Sequence, residues 1–401
     1  VKIAAGLVLV VEEDKAFDPV SGNAVPLPDN AEDVINNNPM RGELDNALAS
    51  LKLFSPKEAQ RKAAIKTLTG DNDAARLPLI EKAYAAEKVP QLKEQLGTLR
   101  AAILLSSSDK TKRLQAAALL ADSGDPWTKT VLLERLAQES DADVRVVLAA
   151  SLRKVEAALA WGDRLAAAFS GISLGSILLL VTLGLDITYG LMGVINMAHG
   201  ELMMIGAHAT YLVQGLFQTY FPNAFDWYLL AALSVAFMAS ALMGAALERG
   251  VIRFLYGRPL ETLLATWGIS LMLQQMVRSI FGAQNVGVEN PVWMSGGVQL
   301  MGNLSLPYNR LVIIGFATAV LLGVAWLISR TRLGLFVRGV TQNRPIAACM
   351  GVNTARVDTY AFALGSGIAG LAGYALSQVG NVGPDLGQSY IVDSFMVVVL
   401  G

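Results

Sequence analysis

From Phe169 onward the sequence is a succession of long apolar stretches, at about 170–189, 201–219, 228–247, 260–280, 310–329 and 357–378, with a seventh beginning near Tyr390. At a rise of about 1.5 Å per residue, some 20 helical residues cover the ~30 Å hydrocarbon core of a bilayer. Lipid offers no partner for backbone N–H and C=O groups, so such stretches must be helices whose hydrogen bonds close internally. The six prolines of this half (Pro222, Pro259, Pro291, Pro307, Pro345 and Pro384) all fall between the stretches, where they break no helix.

Charge divides the chain in the same place. Of 32 basic and 33 acidic residues, only ten and nine lie in 170–401, and those ten are all arginine. Arg249, Arg253 and Arg258 occupy one connection and Arg330, Arg332, Arg338, Arg344 and Arg356 another, whereas the remaining connections hold only Arg278 and Arg310. The positive-inside rule places the two rich connections in the cytoplasm. Counting back, the first span enters from outside, which puts the N-terminal domain on the periplasmic or extracellular side. That count takes 170–189 and 201–219 as two spans; the alternative makes LMGVINMAHG (191–200) a re-entrant segment.

Ahead of the spans, residues 1–40 alternate apolar and polar positions (Leu7, Leu9, Val11), carry turn formers at Asp18-Pro19 and Ser21-Gly22-Asn23, and resume at Val25 and Leu27. This pattern predicts a β-hairpin and loop. Residues 41–165 are rich in Ala, Leu, Lys and Glu, with loop signals at Ser55-Pro56, Gly70-Asp71-Asn72, Gly124-Asp125-Pro126 and Ser140-Asp141. Helices at 56–68 and 90–103, then at 109–122 and 142–155, are spaced by 34 and 33 residues. The spacing predicts stacked helix pairs resembling HEAT repeats, the alternative being an irregular helical bundle. The expected fold class is all-α: a polytopic transmembrane bundle over 166–401, preceded by a soluble HEAT-like domain and a short hairpin. The chain starts at Val1 and stops at Gly401 inside an apolar run, so both ends are expected to be cut, and 1–14 carry no signal-peptide pattern.

Ionisable side chains within apolar spans are costly and normally face a bundle interior or a pathway. Here they are Asp186, Glu201, His208 and Glu261, with His199 just ahead of Glu201 and Asn196 nearby. A helix broken at Gly190, Gly193 and Gly200 would free backbone groups in the same region. Either these residues form a solute pathway, or they only hydrogen-bond neighbouring helices.

Enzyme chemistry finds no support. The G-x-G-x-x-G match at Gly365–Gly370 lies inside an apolar helix with no preceding strand, and its small residues suit close helix packing instead. There is no phosphate-binding G-x4-G-K-[ST], no nucleophile elbow and no metal-ligand spacing, so no catalytic or metal residue is expected. The single Cys349 reads as a small packed residue. In the arginine-rich loop 331–358, Asn343 can cap a short helix to Met350, with Pro345 in its first turn and Gly351 just past its end. Such a helix suits docking into a partner's groove, or else the loop only anchors topology.

The stretches TYGLMGVINMAHGELMMIGA, ETLLATWGISLMLQQMVRSIFG, TRLGLFVRGVTQNRPIAACMGVNTARVDTYAFALGSGIAGLAG and VGNVGPDLGQSYIVDSFMVVVLG resemble permease subunits of the branched-chain amino acid family of ATP-binding-cassette importers. The long N-terminal extension most resembles the urea-type permease. The resemblance implies a multi-pass protein of the bacterial inner membrane that joins a second permease subunit, two cytoplasmic ATPases and a periplasmic solute-binding protein. This chain would then carry no cofactor, ATP being bound by the partner ATPase, and no nucleic-acid partner is expected. The family's coupling helix has the pattern Glu-Ala-Ala-x3-Gly; Ala347 and Gly351 keep its Ala-x3-Gly spacing, while Pro345 stands where the Glu would be. Asn343, Arg344, Ala347, Gly351 and Arg356 are therefore the candidate coupling residues, and the connection 281–310, with Trp293 and a turn at Met301-Gly302-Asn303, the candidate seat for the binding protein. Asn196, His199, Glu201, Glu261, Gln274 and Gln275 are the candidate pathway. Urea, neutral and compact, is the first expectation for the solute; branched-chain amino acids or short amides in the same architecture are the second, and a passive channel with a structural N-terminal module is the third.

Overall fold

The computed structural model describes residues 2–4, 7–12, 15–17, 24–25, 32–33, 38–69 and 73–400. It divides into two compact units, 1–160 and 161–401. The turn formers at 18–23, Leu27 and the loop Gly70-Asp71-Asn72 lie outside the described residues.

The first unit opens with five short strands: β1 (Lys2–Ala4), β2 (Leu7–Glu12), β3 (Lys15–Phe17), β4 (Ala24–Val25) and β5 (Glu32–Asp33). They form one antiparallel sheet in the order β4-β3-β2-β1-β5, with Ile3 opposite Val8 and Val11 opposite Ala16. The expected single hairpin is thus replaced by a sheet whose longest strand, β2, has a neighbour on each side. Strands of two or three residues are too short for alternation to reveal them.

Helices follow at α1 (Asn38–Lys52), α2 (Glu58–Leu68), α3 (Leu77–Ala86), α4 (Pro90–Leu104), α5 (Lys110–Leu120), α6 (Pro126–Gln138) and α7 (Ala142–Met192). Aspartates start three of them: Asp109 accepts from the amide of Thr111, Asp125 from that of Trp127 and Asp141 from that of Asp143. The helices expected at 33–34-residue spacing are α2 with α4 and α5 with the start of α7. Each such pair encloses a further helix, α3 or α6, so the repeating unit has three helices rather than two.

The repeat length is 52 residues, since Glu58 and Pro90 start α2 and α4 as Lys110 and Ala142 start α5 and α7. A buried carboxylate marks each copy at the same place. Glu87 takes Arg61 in two hydrogen bonds, at 2.8 and 3.1 Å, and accepts the amides of Lys88 and Val89 ahead of α4. Glu139, 52 residues on, accepts the amides of Ser140 and Asp141 ahead of α7 and pairs with Arg113 and Arg135 at 3.0 and 2.9 Å. Even the arginine anchors repeat: Arg61 donates to the carbonyls of Ser55 and Pro56, and Arg113 to those of Ser107 and Ser108. The Arg61 bond, backed by the two amides, holds the Glu87 carboxyl below the usual range although burial opposes it. For Glu139 burial is the largest influence and acts upward, but the Asp141 amide and the two arginines together hold its carboxyl low. Apolar side chains such as Leu68, Leu96 and Leu99 in the first copy, and Leu120, Leu132 and Leu148 in the second, fill the two cores.

The second unit contains the rest of α7, then α8 (His199–Tyr220), α9 (Tyr228–Gly250), α10 (Pro259–Phe281), a hairpin of β6 (Gly297–Met301) and β7 (Leu304–Pro307), α11 (Tyr308–Arg330), α12 (Arg332–Gln342), α13 (Arg344–Cys349), α14 (Thr354–Ser377) and α15 (Leu386–Leu400). These elements match the predicted apolar stretches. Among the described residues, the helices carrying α7, α9, α11 and α14 are long and apolar enough to cross a membrane. α8 and α10 have the length but carry more polar side chains.

α14 is the hub of this unit. In its most apolar stretch 78% is buried, against 17% for α11. Its glycines make this possible: Gly370 lies against the backbone of Gly206 on α8 and against Ala236 and Ser240 on α9, while Gly365 lies against Gly184 of α7. Small residues let helix backbones approach closely where lipid gives little drive for association. The G-x-G-x-x-G match is therefore a packing surface.

Candidate functional site

α7 ends at Met192, where Gly193 adopts φ +61°, a left-handed conformation that favours glycine. Residues 193–196 are extended or irregular, and α8 begins only at His199. The break lies at 193–198, and the other two glycines expected to break the helix sit within helices, Gly190 in α7 and Gly200 in α8. Gly200 instead allows the backbone of Gly387, at the start of α15, to come against α8.

The start of α8 lies deep in the bundle. His199 Nε2 donates to the carbonyl of Val181 at 3.1 Å, a residue 11 positions before the end of α7. Eleven helical residues correspond to about 16 Å of axial travel. About five extended residues at ~3.3 Å each span that distance, so 193–198 turns back alongside α7 and starts α8 part-way through the bundle. The segment is pinned laterally by α10, where Thr266 Oγ1 accepts the amide of Met197 at 3.1 Å.

Three predicted residues gather at this start. Asn196, 2% exposed, accepts the Ala198 amide through Oδ1 at 3.0 Å, and its Nδ2 has no hydrogen-bond partner among the described residues. His199 is fully buried, and its Nδ1 likewise has none among them. Glu201, 1% exposed, receives Ser270 Oγ at 2.9 Å and Gln274 Nε2 at 2.7 Å on one oxygen, while the other has no partner among the described residues. Gln274 therefore belongs to the group. Its neighbour Gln275 points to an exposed face of α10, and Glu261, expected in the pathway, does not join it. Glu261 lies exposed in the first turn of α10, bonded to Arg258 at 3.1 Å. Asp186 is exposed on α7, and His208 bonds to the carbonyl of Met204 one turn back and packs against Phe281.

Thr266 and Ser270 were not singled out from sequence. Their one legible signal is the i, i+4, i+8 spacing with Gln274, a polar stripe on an otherwise apolar helix. The group holds donors and acceptors at intramembrane depth beside the N-terminus of a helix, where amides and the helix dipole favour negative charge. Such a place can bind a small polar solute or gate its passage.

At the arginine-rich end, α12 and α13 form a second candidate site. Asn343 caps α13 by accepting the Ile346 amide at 3.1 Å, Pro345 occupies its first turn, and Gly351 follows at φ +83°. Ala347 is buried against Leu191, Val340, Val357 and Ala361, which seats α13 on α7, α12 and α14. Arg344 pairs with Asp358 and lies over the Tyr256 ring at 5.1 Å. Arg356 is exposed, and its amide is capped by Asn353. The outer face presents Ile346 (60% exposed) and Met350 (80%). Cys349 is exposed there as well rather than packed. A network absent from the sequence reading braces this end: buried Glu248 receives Thr359 Oγ1 at 2.7 Å and Arg253 Nη2 at 3.2 Å, tying α9 to α14. At the opposite end, β6 and β7 pair as the predicted hairpin, with β6 exposed along its length.

The model of the family described as branched-chain amino acid transport system / permease component matches residues 167–401. The chain belongs to that permease family. A high-affinity branched-chain amino acid transport system permease protein of Pseudomonas aeruginosa, BraD, is 27% identical over 238 residues, covering 58% of this chain and 77% of its own length. The LivH permease protein of the corresponding system in Escherichia coli K12 is 29% identical over 239 residues, with the same coverage. A probable LivH of Methanocaldococcus jannaschii is 24% identical, covering 56% of this chain and 70% of its own. No solved structure matches the chain. With this family and its apolar helices, the chain is a multi-pass membrane permease, and these relatives, all named for branched-chain amino acids, give the urea expectation no support.

Proposed function

We propose that this chain is a permease subunit of a binding-protein-dependent, ATP-driven importer of branched-chain amino acids in a bacterial inner membrane. The observation that carries the transport reading is the start of α8 inside the bundle, where Asn196, His199 and Glu201 meet Ser270 and Gln274. The solute class rests on what BraD and LivH are named for, and it replaces urea as the first choice. An α-amino acid carries both charges, and the site offers a carboxylate for the ammonium and a helix N-terminus for the carboxylate. The exposed pair Ile346 and Met350 on α13 is the docking point for a cytoplasmic ATPase, with Asn343, Arg344, Ala347, Gly351 and Arg356 holding that helix in place. In this arrangement the first unit lies on the periplasmic side and the β6–β7 hairpin helps seat the binding protein.

The test is ATPase activity of the reconstituted assembly with its binding protein, titrated with leucine and separately with urea. Stimulation by leucine supports the proposal. Stimulation by urea alone returns the solute to the urea class, and solute flux without ATP makes the chain a passive channel.

A further inference from the structure

At the end of the bundle opposite the arginine-rich connections, α9, α11 and α14 part around a cavity of about 620 Å³. Its walls are apolar side chains, among them Leu230 and Leu233 of α9, Ile313 and Phe316 of α11 and Ala375 of α14. Polar groups gather where Asp226 and Gln378 line it, and Trp227 and Trp293, 67% and 53% exposed, stand beside them. We propose that this cavity is a lipid site, holding one acyl chain of a membrane lipid.

Two observations select this occupant. First, all three walls belong to helices able to cross a membrane, so the medium at the cavity mouth is hydrocarbon. Tryptophans concentrate at the membrane–water boundary, which places the polar end at headgroup level and the apolar body among the chains. Second, the volume falls within the ~300–1,000 Å³ of small-ligand sites. A helix some 10–12 Å across would fit only about one turn into it, so neither a partner's spanning helix nor a second copy fills the space.

α11 is the least buried of the spanning helices, and it packs Ile313, Phe316 and Ala317 against α14. An acyl chain there completes the packing between α11 and the hub. The site makes no use of the solute, so it stands or falls separately from the transport reading.

The test uses the full assembly in proteoliposomes containing phosphatidylethanolamine with a diazirine in its acyl chain, photolysed and mapped by peptide mass spectrometry. Labelling of Leu233, Phe316 and Ala375 is expected at least fivefold above that of Leu322 and Trp326, which face outward on α11 at 64% and 65% exposure. Val312→Trp, which fills the cavity from the α11 side, should cut cavity labelling at least fivefold and leave Leu322 and Trp326 unchanged. If Val312→Trp does not assemble, Leu230→Trp makes the same measurement from α9. Cavity labelling no higher than that of the outward positions, or unaltered by the filling substitution, overturns the proposal.

Discussion

Replacing Gly370 by alanine tests whether the second unit is built on close backbone contact around α14. A methyl group at Gly370 would lie 2.6 Å from Ser240 Cβ and 2.7 Å from the carbonyl oxygen of Ala236. Carbon atoms pack best at about 3.5–4.0 Å, so α9 would have to retreat by roughly 1 Å, which forfeits a quarter to a half of each contact along that interface. The Ala236 oxygen belongs to the backbone and has no rotamer to escape into. Overpacking of this kind costs about 1–3 kcal/mol. Removing a glycine from a helix interior returns about 0.5–1 kcal/mol, which leaves a net loss of roughly 1 kcal/mol at the middle of these ranges and about 2.5 kcal/mol at most. At ~2–4 °C per kcal/mol for a unit of this size, the unfolding midpoint should fall by roughly 2–10 °C. The assay is fluorescence-detected thermal unfolding of the purified assembly. Gly268→Ala and Gly175→Ala are the controls, since no atom lies within 4 Å of a methyl at either position, and both should match or exceed the wild-type midpoint. A Gly370→Ala protein as stable as those controls would refute the packing account.

Other expectations concern the first unit and the docking end. Glu87→Ala strips Arg61 and two amides of their acceptor and should destabilise the first unit by roughly 2–4 kcal/mol, read as faster hydrogen exchange in α2 to α4. Because Glu87 and Glu139 are held low when folded, the unfolded chain binds more protons between their folded values and the ordinary value near 4.5. Their contribution is complete above that ordinary value and is lost as pH falls through the folded values; acid titration should therefore loosen α2 to α6 below about pH 4.5, and protection unchanged down to pH 3 would contradict the assignment. Met350→Glu places a charge on the exposed face of α13 and should reduce co-purification of the ATPase about tenfold without shifting the melting midpoint of the permease.

Much of the second unit is legible in the sequence because a bilayer demands uniform apolarity, and prolines and arginines can only fall between the spans. Less legible was whatever depends on depth. Glu261 and Glu201 look alike within apolar stretches, yet one lies in the first turn of α10 beside Arg258 and the other receives Ser270 and Gln274 well inside the bundle. Gly190, Gly193 and Gly200 were equal candidates for the helix break, and tertiary contact separates them, since Gly200 is needed for the passage of α15. The cap, first-turn proline and left-handed glycine of α13 are local devices, and they read correctly. In the first unit the 52-residue repeat is masked by the 34- and 33-residue spacings, because α3 and α6 lie between the helices so spaced. Its clearest mark is chemical, an arginine followed 26 residues later by a glutamate, at Arg61 and Glu87 and again at Arg113 and Glu139.

The most direct measurement of the central claim is ATP-dependent uptake of radiolabelled leucine into proteoliposomes holding the whole assembly and its binding protein, for wild type, Glu201→Gln and Glu261→Gln. Glu201→Gln keeps the shape of the side chain and removes the charge at the start of α8. It should lower leucine uptake at least tenfold with the assembly intact, whereas Glu261→Gln should stay within twofold of wild type. Equal uptake by wild type and Glu201→Gln, or a larger loss at Glu261, would contradict the placement of the pathway at the intramembrane start of α8.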